Sequence, residues 1–139
     1  MNSMARTPDS RQVQHIQSTL QARRSETLAN LHQAEAEQRA LERERPTELG
    51  DFCNESAVHE DLLERLNRHR RLLHMIEAAL RRIEYGTFGE CTACGNQIAA
   101  KRLEIMPLTE YCLRCQENFE RGMGGGRPPV VRRLHAIGK

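Results

Sequence analysis

Tryptophan is absent from this sequence, and aromatic residues make up only 4% of its 139 positions. Apolar residues of every kind reach 38%. A compact core of ordinary size is hard to assemble from so few large side chains. Long helices packed along a narrow seam, or a metal staple, remain as ways of holding the chain together. No apolar run approaches the roughly 18 residues needed to span a bilayer. The N-terminus also lacks the continuous apolar stretch of a secretion signal. A cytoplasmic location without membrane contact is the expectation. Charge of one sign is missing too: 21 Lys and Arg face 19 Asp and Glu, a formal net charge of +2. That is too little for general nucleic-acid affinity, and the interleaving of signs is the pattern of solvated helix faces. The exception is the tail from Gly122 to Lys139, which carries Arg127, Arg132, Arg133 and Lys139 with no acid. The histidines (His15, His32, His59, His69, His74 and His135) do not gather around a nucleophile at a recognisable spacing. Gly124, Gly125 and Gly126 sit in the tail rather than between strand and helix, so no phosphate cradle is present. An enzyme is not expected.

Between Pro8 and Pro46 the chain contains neither glycine nor proline. Thr7-Pro8-Asp9 reads as a helix start, with Thr7 as cap, Pro8 at the first helical position and Asp9 adding favourable charge. Val13, Ile16, Leu20, Leu28, Leu31, Ala34 and Leu41 then trace an imperfect stripe, which Arg23, Arg24 and Thr27 interrupt. Pro46 and Gly50 break this helix. A second begins near Asp51 or Asn54 and is more regular. Leu62, Leu66, His69, Leu73, Ile76, Leu80 and Ile83 recur by fours and threes until Tyr85-Gly86. Two helices of about 30 to 35 residues with a short break fold back antiparallel, a hairpin of roughly 45 to 50 Å. Its tip lies at about residues 46–54.

Beyond Phe88, turn residues and cysteines replace the helix formers, apart from a short helix over Leu113 to Arg121. Cys91-Thr92-Ala93-Cys94-Gly95 and Cys112-Leu113-Arg114-Cys115 form two CxxC pairs with 17 residues between them. Each pair holds one metal from a tight turn, and two pairs complete a tetrahedron. Four sulfur ligands select zinc over hard cations and leave no open position for a catalytic water. One structural Zn2+ is the expectation. Iron–sulfur ligation fits the same spacing, whereas a redox CxxC normally sits beside a strand–helix unit that is missing here. Cys53 stands apart at the tip, either as a small filler or as an exposed thiol.

Taken together, the hairpin, Phe88-Gly89-Glu90-Cys91-Thr92-Ala93-Cys94-Gly95, Arg102-Leu103-Glu104, Pro107 and Cys112-Leu113-Arg114-Cys115 resemble the DksA/TraR family. The resemblance is strongest from about Arg65 to Phe119, with Ile76-Glu77, Leu80 and Ile83-Glu84 as supporting matches. It implies a mainly α fold: a long antiparallel coiled-coil hairpin attached to a four-Cys zinc finger with a short C-terminal helix. It further implies a monomer that binds bacterial RNA polymerase through the secondary channel and alters initiation without sequence-specific DNA binding. The family's tip motif, Asp-x-x-Asp-x-Ala, falls on Glu48, Asp51 and Cys53. In the register of the family's guanosine tetraphosphate contacts, Arg68 and Leu72 match. Met75, Met106 and Gln116 replace Lys or Arg there, so response to that nucleotide is expected to be weak or lost.

The expected organisation is an N-terminal extension at 1–8, the hairpin at 9–86, the finger and short helix at 87–121, and a flexible basic tail at 122–139. Two other functions fit the sequence. A zinc-ribbon nucleic-acid binder would use Lys101, Arg102, Arg114 and the tail. A thiol or zinc redox sensor would use Cys53 or the zinc thiolates.

Overall fold

The computed structural model describes residues 8–44 and 52–123, giving backbone only at 52–55 and 123. Its element order is α1 (Ser10–Arg43), α2 (Phe52–Glu84), α3 (Ala100–Ile105) and α4 (Leu113–Met123). Helix α1 opens with a reciprocal cap. The Gln12 amide donates to Asp9 Oδ1 at 2.8 Å, and the Asp9 amide donates to Gln12 Oε1 at 3.0 Å. Two otherwise unpaired amides are satisfied in this way. Asp9 is therefore the capping residue, one step before Ser10, and Pro8 precedes the helix instead of opening it. Thr7, the expected cap, lies outside the described residues. The helix stops at Arg43, ahead of Pro46, whose ring disfavours helical geometry in the residue before it.

Helix α2 closes as Tyr85-Gly86 suggests. Gly86 adopts φ +70°. Its amide donates to the Ile83 carbonyl at 3.2 Å, and the Thr87 amide donates to the Arg82 carbonyl at 2.9 Å. This pair of bonds defines a Schellman stop, in which glycine takes the left-handed position without a Cβ penalty.

The described residues fall into two compact units, 17–81 and 8–16 with 82–123. In the first, Arg24 pairs with Glu77 at 3.3 Å, Glu35 with Arg70 at 3.3 Å and Glu37 with Arg65 at 3.0 Å. As one number rises the other falls, so the two helices run antiparallel. Leu31, Ala34, Leu62 and Leu66 form the apolar cluster here, with Leu73 packed against it. The seam departs from the expected stripe at several places. Leu41 is 39% exposed. Thr27, expected to interrupt the stripe, is buried. Its hydroxyl donates to the Arg23 carbonyl at 2.7 Å, so a polar side chain enters the seam with its hydrogen bond made inside its own helix. Ala79 is also buried. It is too small to stand out in a pattern dominated by leucine.

The second unit gathers the start of α1, the end of α2 and the short helices. Helix α3 was not expected. Its six residues are too few for a periodic signal, but Ala100, Lys101, Arg102 and Leu103 are good helix formers. Leu103, fully buried, anchors it. Gln12 reaches from α1 to Glu104 of α3 at 2.6 Å. Gly89, at φ +92°, lies against Leu103 and Pro8, where a Cβ would come within 3.4 to 3.5 Å of both. Among the described residues no helix is long and apolar enough to cross a membrane.

The seam, rather than the ion pairs, should carry the hairpin's stability. Leu66→Ala is expected to cost about 2–5 kcal/mol, as for other fully buried leucines. Arg70→Ala, which breaks a pair between half-exposed side chains, should cost less than about 1 kcal/mol. Denaturant unfolding followed by circular dichroism at 222 nm measures both.

Candidate metal centre

The first CxxC pair sits in a short hairpin. Glu90 bridges antiparallel to Gln97. The Ile98 amide donates to the Gly89 carbonyl at 2.7 Å, and the Cys91 amide to the Asn96 carbonyl at 2.8 Å. Gly95, at φ +73°, turns the chain so that its own amide meets the Cys91 carbonyl at 2.8 Å. A β-branched residue would resist this turn. The second pair enters α4: Cys112 lies just before it and Cys115 in its first turn. Thr92 ties the halves together through its amide and hydroxyl, which donate to the Glu110 carbonyl at 2.9 and 3.2 Å. Beside them Tyr111 is buried, edge-on to Phe119 with ring centroids 5.3 Å apart.

These turns bring the Sγ atoms of Cys91, Cys94, Cys112 and Cys115 within 4.8 Å of one another. Cys94 and Cys112 approach to 3.8 Å. A tetrahedral zinc with bonds of about 2.3 Å to sulfur requires sulfurs about 3.8 Å apart, so the cluster has the size and chemistry of a closed four-thiolate zinc site. All four residues anticipated from their spacing are brought together.

The thiols are not equivalent before metal enters. Burial opposes ionisation of Cys91. Hydrogen bonding from the backbone at Cys112, Cys94 and Ala93, and from the Cys94 thiol, outweighs that burial and lowers its pKa to about 6. Cys112 and Cys115 are pushed up, first by burial and then by the neighbouring sulfurs. The Cys91 thiolate is thus preformed, and a cation must offset the repulsion that resists ionisation of Cys112 and Cys115.

Arg82, near the end of α2, was not singled out from the sequence. Its Nη1 donates to the Thr109 carbonyl at 3.3 Å, and its Nη2 donates to the Glu90 carbonyl at 2.5 Å. Burial lowers its pKa from the usual arginine value, against the opposing pull of Glu110, Cys91, Glu90 and Tyr111. In a helix so rich in arginine, its sequence context resembles that of any solvated charge.

The family model for the prokaryotic dksA/traR C4-type zinc finger matches residues 86–121, the segment that holds all four cysteines. The chain belongs to the DksA/TraR family. An uncharacterised protein of Aquifex aeolicus is 35% identical over 99 residues, covering 70% of this chain and 68% of that one. The RNA polymerase-binding transcription factor DksA of Escherichia coli is 37% identical over 62 residues, covering 42% of this chain and 41% of its own length. Its counterpart in Haemophilus influenzae is 38% identical over 50 residues, 36% of this chain and 34% of that protein. The chain thus spans well under half the length of these two DksA relatives. The solved structure of transcription factor DksA2 from Pseudomonas aeruginosa superposes with a TM-score of 0.71 at 29% identity, covering 81% of this chain and 86% of that one. As in other DksA/TraR C4 fingers, the four cysteines hold a single structural Zn2+. Arg68 is exposed on α2, and Cys53 lies in the first turn of that helix with its side chain outside the described residues. Glu48 and Asp51 lie outside the described residues altogether.

Zinc analysis should return one ion per chain, and none after Cys91→Ser combined with Cys112→Ser. Because protons compete for the sulfurs, affinity should fall as pH falls. Cys112 and Cys115 are protonated at neutral pH without metal and ionised with it, so binding releases at least two protons. Affinity should drop by at least about 100-fold on going from pH 8 to pH 7, measured by competition with a chromophoric chelator.

Proposed function

We propose that this protein is a cytoplasmic transcription regulator that binds bacterial RNA polymerase as a monomer and has no reaction of its own. In this reading the hairpin enters the enzyme's secondary channel. The connection between α1 and α2, with Glu48, Asp51 and Cys53, then comes near the catalytic magnesium. The observation that carries the proposal is the likeness to transcription factor DksA2 over 81% of the chain. The relatives named RNA polymerase-binding transcription factor point the same way.

The physics of such action is occupancy and electrostatics. A closed four-thiolate metal offers no site for chemistry, so an effect on transcription must come from where side chains are delivered. Carboxylates near a two-metal phosphoryl-transfer centre perturb its field and compete for its cations. Glu48 and Asp51 supply two such groups, one of them on a longer arm than the family's aspartate. Direct sequence-specific DNA binding is not part of the proposal.

The same reading makes guanosine tetraphosphate a weak effector. Of the positions matched to the family's cationic nucleotide contacts, Arg68 alone keeps a full positive charge. Met75 and Met106 present exposed thioethers, 37% and 52% exposed. Gln116 donates its amide to Glu120 at 2.7 Å. A nucleotide carrying several phosphates needs several cations or backbone donors to offset its charge.

The test is in two parts. Purified protein should co-elute with core RNA polymerase, and a folded, zinc-loaded preparation that does not bind would end the proposal. In transcription from an rRNA-type promoter, Glu48→Gln with Asp51→Asn should keep polymerase binding but lose the effect on initiation. Adding guanosine tetraphosphate should leave the wild-type effect essentially unchanged. A strong enhancement by the nucleotide would refute that insensitivity.

A further inference from the structure

Zinc with four thiolates carries a net charge of −2, and one of those thiolates, Cys91, is buried at 2% exposure. Such a site needs positive charge or donors around it, and needs its two halves held at the right separation. Two features of the unit formed by 8–16 and 82–123 meet on one side chain. Arg82 forks between the Glu90 carbonyl, directly before Cys91, and the Thr109 carbonyl, three residues before Cys112. Its guanidinium lies close enough to Cys91 for the two to interact electrostatically. Thr92 adds a second tie between the two cysteine segments, to the Glu110 carbonyl, and the Cys94 and Cys112 thiols themselves approach to 3.8 Å.

We infer that Arg82 is a positioning residue of the zinc centre: from α2 it holds the two cysteine loops at the separation the metal requires and offsets part of the negative charge of the thiolates. The geometry suits arginine in particular. Its planar fork donates to two carbonyls at once, from a fixed framework that stays charged at every relevant pH. Lysine in the same place keeps the charge but presents it at a single point. Partners outside the ligand shell orient metal ligands in this way and typically change affinity by about 10–100-fold when removed. The electrostatic part is tempered by Glu110 and Glu90, which also act on Arg82, so geometry and charge both need to be read. The inference does not rest on the transcriptional reading.

The experiment uses the full chain and the metal alone. Zinc affinity is measured by chelator competition for wild type, Arg82→Met, Arg82→Lys and the exposed neighbour Arg81→Met. Each protein is also loaded with Co2+, and its thiolate charge-transfer and visible bands are recorded. Arg82→Met is expected to lose about 10–100-fold in affinity, with altered visible bands. Arg82→Lys should recover part of the loss, and Arg81→Met should match wild type. Wild-type affinity and bands in Arg82→Met overturn the inference, and so does an equal loss in Arg81→Met. If Arg82→Met does not fold, Arg82→Lys decides. Intermediate affinity then supports the positioning role, and affinity equal to wild type overturns it because the fork is lost in that variant.

Discussion

Four sulfurs within 4.8 Å of one another are the constraint on which the finger depends. Thiols confined this closely repel once more than one is ionised: Cys91 ionises readily, whereas Cys112 and Cys115 are pushed up. A divalent cation converts that repulsion into the strongest set of bonds in the unit. The surrounding apolar support is modest: Ile98, Leu103 and Tyr111 are its buried side chains beside Cys91 and Ile16. So small a core rarely suffices alone, and metal binding free energy becomes folding free energy. The turns that present the sulfurs, at Gly89 and Gly95, are affordable because glycine accepts positive φ without strain.

The hairpin solves the shortage of large side chains differently. It spreads a narrow seam along two helices of 34 and 33 residues, so that no cross-section has to bury much. Leucine, isoleucine and alanine fill the seam, and Thr27 is tolerated within it because its hydroxyl bonds back to its own helix. The flanking ion pairs add little stability at their exposure. Their contribution is to register, since Arg24, Glu35 and Glu37 each meet an opposite charge only in the antiparallel alignment observed.

Signals that are local or strictly periodic were legible in the sequence. The CxxC spacing announced the metal ligands, Pro46 the end of α1, and Gly86 the end of α2. The elements that escaped depend on tertiary context. Helix α3 is six residues long and persists because Leu103 is buried. Asp9 replaces Thr7 as cap because Gln12 completes a reciprocal pair with it. Thr27 and Ala79 are buried by their place on the helix rather than by hydrophobicity. Arg82 stands among Arg81, Arg71, Arg70 and Arg68 with nothing to distinguish it until the carbonyls of Glu90 and Thr109 come into reach. A cation's role is set by the acceptors that surround it, and these lie 8 and 27 residues away in sequence.

A metal with four thiolate ligands is coordinatively closed, and this bears on what kind of protein can be built around it. No water can be activated there and no substrate polarised without losing a ligand. Such a site holds shape, and the metal secures the geometry of the surfaces around it. Where a second sphere supports such a site, changes in it alter how firmly the shape is held rather than any rate of reaction. Arg82 belongs to α2, the helix that also runs through the seam. A weakened metal site should therefore appear first as a loosening of the finger and of the last turn of that helix, ahead of any loss in the leucine cluster around Leu66. Stability in this chain is layered along α2 by two different forces, metal–sulfur bonding at one end and apolar burial at the other.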